Sequence, residues 1–314
     1  MTRRRDFLRT SSIAATALLF SKPLQNIAGI SYKNKYLNKE INTLRIFHTN
    51  NLRGQLGCYN DGIGGLQNVI NTLNQYDESI VLDAGDFLDA KLTLHQQKEI
   101  INIMNTACYK AATIGNHDIA NGQQYLAEII PAMKFPLVNC NYQFSNDDLR
   151  NLVKPYAISK YGRFKIGITG VGINLNNKLK RKEKIVCSHP YTSANTVATY
   201  LREVQNCDLV ICLSHLEHEK KTSVLNNFDF AVNSKNIDVI IGGHGRTMNI
   251  SPLITRNKVK EEVFVSQTGW KGTMLRKLEF SYNEYGKNGF SVKNFIPGLA
   301  QNTDVFNHFK EIII

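Results

Sequence analysis

Several strand-like runs in this chain of 314 residues end on side chains that can bind a metal ion or move a proton. SIVLDA (79–84) runs into Gly85-Asp86, and KAATI (110–114) into Gly115-Asn116-His117-Asp118. DLVICLS (208–214) runs into His215, and DVIIG (238–242) into Gly243-His244. Each alone says little, because a histidine at a strand end is more often a satisfied polar residue than a ligand. The tetrapeptide GNHD says more, since Asn, His and Asp have little reason to follow a buried strand together. Carboxylate, imidazole and amide groups collected past strand ends are able to bind a divalent metal ion. A fifth stretch, HTNNLRGQL (48–56), holds the same place after the apolar run LRIF. There Asn51 and Arg53 occupy positions shaped for a carboxylate and an imidazole.

The elements that must position these groups are readable from periodicity. Strands are expected at TLRIF (43–47), SIVLDA (79–84), FPLVN (135–139), FKIGITGV (164–171), DLVICLS (208–214), DVIIGG (238–243), EVFVSQ (262–267) and RKLEFSY (276–282). Their β-branched cores, bounded by Gly, Asp and Asn, fit strands buried on both faces. Helical spacing appears between them at 65–76, 96–107, 121–133 and 193–204. In the last of these Val197, Leu201 and Val204 fall on one face. Alternation of this kind predicts a single α/β domain, and in open α/β sheets ligands collect at the carboxyl ends of the strands.

The formal charge of +12 would suit a nucleic acid or a membrane, so its location matters. Residues 1–22 carry five cations against Asp6, a net of +4, which leaves +8 for the rest. Part of that excess is the run KLKRKEK (178–184), read as a solvated loop because no aromatic residue interleaves it to stack on bases. No nucleic-acid partner is expected. The segment Arg4-Arg5-Asp6-Phe7-Leu8-Arg9, followed by the weakly apolar SSIAATALLF, matches a twin-arginine export signal within residues 1–30. It predicts a periplasmic or otherwise extracytoplasmic protein. With no cysteine near it and only about half a membrane span of apolar length, no stable membrane anchor is expected. The six cysteines form no CxxC pair, and buried free thiols are expected.

The order GD, GNHD, LSH, GGH, with LDAGD (82–86), ATIGNHD (112–118), DLVICLSHL (208–216), DVIIGGH (238–244) and QTGWKG (267–272), resembles the calcineurin-like metallophosphoesterases. More narrowly it is similar to the catalytic domain of their 5′-nucleotidase branch, over residues 43 to 285. The resemblance implies a four-layer α/β/β/α metallophosphoesterase sandwich and hydrolysis of nucleotide-like phosphate monoesters, with a place in nucleotide catabolism. It implies two adjacent metal ions bridged at the position of Asp86, the second ion also taking Asn116, His215 and His244. His117 matches the imidazole that assists the leaving oxygen. His218, nearby, matches no ligand and is read as a surface residue.

The departures from the pattern are as informative. The first ion's private ligands would be an Asp and a His in the opening motif and a second His two residues after His244. This chain has Asn51, Arg53 and Arg246 there. One divalent ion is therefore expected, and the vacated place holds two guanidiniums suited either to phosphate oxygens or to Asp86. A guanidinium supplies charge but not Lewis acidity. The carboxylate that would orient His117 is replaced by Ala120, with Asp118 as the substitute to consider. The turn after Asp86, FLDAKL, also departs from the family's glycine-containing loop. Only 29 residues, 286–314, follow the similar region, a tail too short for a base-binding domain. Either a separate chain supplies that pocket or the base is not selected. The alternative to a hydrolase is a protein that keeps the fold and the cationic pocket and binds phosphate or a nucleotide without turnover.

Overall fold

The computed structural model describes residues 42–76, 78–175, 184–218, 224–245 and 251–299. The expected signal at 1–30, Arg246, most of the basic run at 178–184 and the end of the tail lie outside the described residues. In chain order the strands are β1 (Asn42–Thr49), β2 (Ile80–Asp83), β3 (Tyr109–Thr113), β4 (Leu137–Val138), β5 (Tyr142–Phe144), β6 (Tyr156–Tyr161) and β7 (Phe164–Gly172). They continue as β8 (Ile185–Cys187), β9 (Leu209–His215), β10 (Val239–Gly242), β11 (Leu253–Arg256), β12 (Glu262–Gln267), β13 (Leu275–Asn283) and β14 (Gly286–Phe295). The helices are α1 (Leu66–Leu73), α2 (Leu94–Thr106), α3 (Gln123–Ile129), α4 (Asp147–Leu152), α5 (Pro190–Glu203) and α6 (Asn227–Asn233).

Among the described residues the strands form two six-stranded sheets, β14-β13-β1-β2-β3-β4 and β11-β12-β10-β9-β7-β6, with β5 and β8 paired apart. The period of two along each strand decides the layers. Leu44 and Ile46 of β1, with Ile80 and Leu82 of β2, face Ile211 and Leu213 of β9 and Ile241 of β10, forming the core between the sheets. Their alternates Phe47 and Val81 turn outward onto Leu66 and Ile70 of α1 and Ile101 and Met104 of α2. On the far side Val210, Cys212 and Ile240 meet Ala194, Ala198 and Leu201 of α5 and Phe230 of α6. This is the four-layer α/β/β/α arrangement. Each fully buried Leu or Ile contributes roughly 1.5–3 kcal/mol.

Several boundaries move for local reasons. Helix α2 starts earlier than its apolar spacing implies, because Thr93 and Gln96 form a reciprocal capping box. Helix α3 ends at Ile129 and tightens into a 3₁₀ turn, Ile130–Ala132, where Pro131 has no N–H to continue the α ladder. Helix α5 starts at Pro190, whose fixed φ suits a first helical position. Its buried face is Tyr191, Ala194, Ala198 and Leu201, while Val204, expected on that face, is the helix's C-cap and 59% exposed. The run FPLVN shrinks to the two residues of β4. Strand β14 lies past residue 285 and pairs antiparallel along β13, so part of the expected tail is the edge of the first sheet. All six cysteines are free, but Cys58 and Cys108 are exposed, contrary to the expectation of buried thiols. No helix among the described residues is long and apolar enough to cross a membrane.

Strands β1, β2 and β3 run parallel, as do β7, β9, β10 and β12. Their carboxyl ends carry Thr49, Asp83, Thr113, His215, Gly242 and Gln267. The chemistry-bearing loops leave from there.

Candidate active site

Asp86 is the hub. It follows β2 in a left-handed conformation, φ 59°, and is 2% exposed. Its Oδ1 accepts the His117 backbone N–H at 2.7 Å. Its Oδ2 lies 3.4 Å from His215 Nε2, 3.4 Å from Arg53 Nη1 and 3.9 Å from His117 Nε2. Burial alone would raise this carboxyl, yet the His215 imidazole and the His117 N–H outweigh it and hold Asp86 well below the usual carboxylate range.

His215 ends β9 and is fully buried. Its Nδ1 stands 2.7 Å from the Ala84 carbonyl, which places the proton on Nδ1 and aims Nε2 at Asp86. Burial disfavours its charge, but Asp86 and the Ala84 carbonyl prevail and raise its pKa. Two glycines make the room: a Cβ on Gly85 or Gly243 would sit 2.7 or 2.8 Å from that Nδ1. The glycines of GD and GGH therefore answer a steric need of His215. His244, at φ 64°, sets its ring 5.1 Å from the His215 ring, with Nε2 3.3 Å from Glu217 Oε1. Asn116 Oδ1 is buried without a hydrogen-bond partner among the described residues. His218 is partly buried, not the surface residue expected.

Asp118 does not serve His117. Its Oδ2 accepts the N–H groups of Asp86 (2.8 Å) and Gly115 (2.7 Å), and its Oδ1 that of Leu88 (2.8 Å). It ties the loop after β2 to the loop after β3, and desolvation with Asp86 nearby raises its pKa well above the ordinary value. The expectation of Asp118 as the substitute for the orienter missing at Ala120 is corrected accordingly. His117, about one-third exposed, keeps an imidazole whose pKa burial lowers against the pull of Asp86.

The opening motif folds over the same ground. Asn51 N–H donates to the Gly85 carbonyl at 2.9 Å and Arg53 N–H to the Asp86 carbonyl at 2.8 Å. The Asn51 amide Nδ2 donates to the Gly245 carbonyl at 3.0 Å, leaving its Oδ1 buried without a hydrogen-bond partner among the described residues. The Arg53 guanidinium spans Asp86 Oδ2 through Nη1 (3.4 Å) and Asp89 Oδ2 through Nε (3.3 Å).

These contacts decide which ion fits. Asp86 Oδ2 and His215 Nε2 face each other at 3.4 Å, and with Nδ1 committed to Ala84 either a proton on Nε2 or a cation must lie between them. With the orphaned Asn116 oxygen one residue before the His117 N–H that Asp86 accepts, the donor chemistry fits a divalent ion. Among the described residues no group of three His, Cys, Asp or Glu side chains is gathered closely enough to hold a metal, consistent with His244 being turned to Glu217. The fit rests on Asp86, His215 and the Asn116 amide. The Arg53 guanidinium approaches the same oxygen, Asp86 Oδ2, that faces His215. Asp89 and Glu217 were missed from sequence. The departing turn FLDAKL was the available signal for Asp89, and there was none for Glu217.

Fold and site together define a class, and residues 45–245 match the profile of the Calcineurin-like phosphoesterase family, to which the chain belongs. Its curated relatives include 5′-nucleotidases. That of Bos taurus is 26% identical over 252 residues, 71% of this chain and 41% of its own length. The NAD 5′-nucleotidase of Haemophilus influenzae is 29% identical over 232 residues, 66% of this chain and 37% of its own. The chain thus spans about two fifths of the length of the curated relatives it matches. A 5′-nucleotidase precursor from Thermus thermophilus has the same fold, with a TM-score of 0.73 at 21% identity, over 86% of this chain and 58% of that one.

Proposed function

We propose that the chain is a metal-dependent phosphoester hydrolase acting on nucleotide-like phosphate monoesters. The observation that carries this is the buried facing pair, Asp86 Oδ2 and His215 Nε2, 3.4 Å apart in a chain whose relatives are 5′-nucleotidases. One divalent ion, Mn or Zn, is held by Asp86, Asn116, His215 and His244, the last after turning from Glu217. When bound, that ion supplies Lewis-acid polarisation of a phosphoryl oxygen. The chain's own residues do the rest. Arg53 and Arg246 hold phosphate charge in place of a first ion, and Asn51 belongs to the same phosphate-binding set. His117, next to Asp86 and in contact with solvent, moves a proton at the leaving oxygen through its ring nitrogen. Asp118 keeps Asp86 and His117 in mutual register through the two loops it ties.

The twin-arginine pattern supports export to the periplasm or another extracytoplasmic space. A separate chain bringing a base-binding domain is the partner this reading favours, and co-purification from the native source tests it. Phosphate release from AMP and from an aryl phosphate, with added Mn or Zn, tests the activity. Turnover by the wild type that vanishes in His215→Ala is expected. Folded wild type releasing no more phosphate than His215→Ala overturns the proposal.

A second reading, a protein that binds phosphate or nucleotide without turnover, has one observation in its favour. With Ala120 in place of a carboxylate and Asp118 committed to backbone, the carboxylates that act on His117 are Asp86, at 3.9 Å, and Asp89, which is itself bonded to Arg53. Spoiling such an orienter costs on the order of 10⁴ in rate in serine-protease triads.

A further inference from the structure

Two departures from the family pattern meet in space. Arg53 stands where the pattern has an imidazole, and Asp89 belongs to the turn that replaces a glycine-containing loop. The Arg53 Nε donates to Asp89 Oδ2 at 3.3 Å. A residue left over from a lost metal site has no need of a dedicated counter-charge, and Arg53 has one.

Both members are held from behind. Arg53 N–H and Gly54 N–H donate to the Asp86 and Phe87 carbonyls at 2.8 and 2.9 Å, pinning the two segments together. Asp89 Oδ1 accepts the Lys91 N–H at 3.0 Å, and the Asp89 carbonyl accepts from Leu92 N–H and from the buried Gln97 amide, both at 3.0 Å. With Nε on Asp89 and Nη1 on Asp86, two edges of the guanidinium are taken. Nη2 makes no hydrogen bond to a described residue, and the side chain keeps 23% of its surface in solvent.

We propose that Asp89 is a positioning residue: it fixes the Nε edge of Arg53 so that the guanidinium presents Nη2 to the phosphate oxygens of the ligand. This rests on the phosphoesterase reading and specifies how its pocket is built. The sign of one substitution separates positioning from simple proximity. A carboxylate beside a phosphate pocket repels the ligand, so by Coulomb's law alone its neutralisation tightens binding. Only a carboxylate that aims the guanidinium makes its own loss weaken binding.

The test is calorimetric titration of the full chain with inorganic phosphate. Asp89→Asn is expected to weaken phosphate about tenfold, the scale of one charge-assisted hydrogen bond. Asp89→Glu regains part of that affinity. In an Arg53→Gln background Asp89→Asn no longer weakens phosphate, because there is no guanidinium to aim. Asp89→Asn binding phosphate as tightly as wild type, or more tightly, overturns the proposal. A readout without ligand keeps the two readings apart: the Arg53 Nε–H resonance, slow to exchange in wild type, becomes fast in Asp89→Asn. Wild type that binds no phosphate defeats the phosphoesterase reading. An Nε–H unchanged in Asp89→Asn defeats the pair itself.

Discussion

Replacing Asp83 by asparagine isolates a buried proton. Asp83 ends β2 with no exposure to solvent. Its Oδ2 accepts the Thr49 hydroxyl at 2.6 Å, its Oδ1 accepts the Gly85 N–H at 2.8 Å, and Tyr109 OH lies 2.9 Å from the same Thr49 oxygen. Burial outweighs these two donors and pushes the carboxyl from 3.8 up to about 7. The unfolded chain releases this proton near pH 4, whereas the folded chain keeps it to about pH 7. Stability is therefore fully present below pH 4 and falls as pH rises through that window. At up to 1.36 kcal/mol per pH unit over about three units, the loss approaches ~4 kcal/mol. The Asp83→Asn side chain has no proton to lose. Its amide donates to Thr49, whose hydroxyl turns to Tyr109, an exchange worth about 1 kcal/mol. Urea unfolding followed by the fluorescence of the single tryptophan, Trp270, measures the difference. Asp83→Asn is expected to match wild type within ~1 kcal/mol at pH 5 and to exceed it by about 2–3 kcal/mol at pH 8. Curves that stay parallel from pH 5 to 8 would refute the assignment of that proton to Asp83.

Asp118→Ala strips the acceptor from three buried N–H groups, at about 1–2 kcal/mol each, and is expected to cost roughly 3 kcal/mol or more in the same unfolding assay. Ending the chain at Tyr285 removes β14 together with buried Phe295 and Ile296, and takes the Asn294 acceptor from buried Arg276. A loss of about 3–6 kcal/mol is expected from the two apolar side chains alone, seen as a lowered urea midpoint. A thiol reagent added to native protein should modify Cys58 and Cys108 in a fast phase, half-buried Cys140 and Cys187 more slowly, and buried Cys207 and Cys212 only on unfolding. A single slow phase for all six would contradict the exposure of those two loops.

The central strands were legible because both their faces are covered, which forces unbroken apolar runs such as VLD of β2 and LVICLSH of β9. Of the edge strands, β4 was expected within FPLVN and the others were not. β6, β11 and β14 alternate half-buried with exposed positions, so their sequences carry no such run. The placement of Asp86, Asn116 and His244 after glycines beyond strand ends, and of His215 as the last residue of β9, was readable for the same reason that the strands were. Asp89 and Glu217 were not, because their partners lie 36 and 27 residues away along the chain, and loop conformation alone brings them together. Asp118 was visible as a residue but not as a brace, since its three donors are backbone groups that no side-chain pattern announces. Val204 fitted a helical face on paper, yet the helix stops beside it and the packing stops with it.

Asn51, Arg53, Asp86 and His244 all have φ between 51° and 64°. For residues with a side chain this conformation costs roughly 1–2 kcal/mol each, less for Asn. The site is thus a small reservoir of conformational energy held by the two sheets beneath it. Glycine at Arg53 would relax the backbone there, at the loss of the guanidinium's bonds to Asp86 and Asp89. A protein drifting without use for this corner would find that exit cheaply. Keeping an arginine of all residues at φ 53° sets the corner against the fold's own economy.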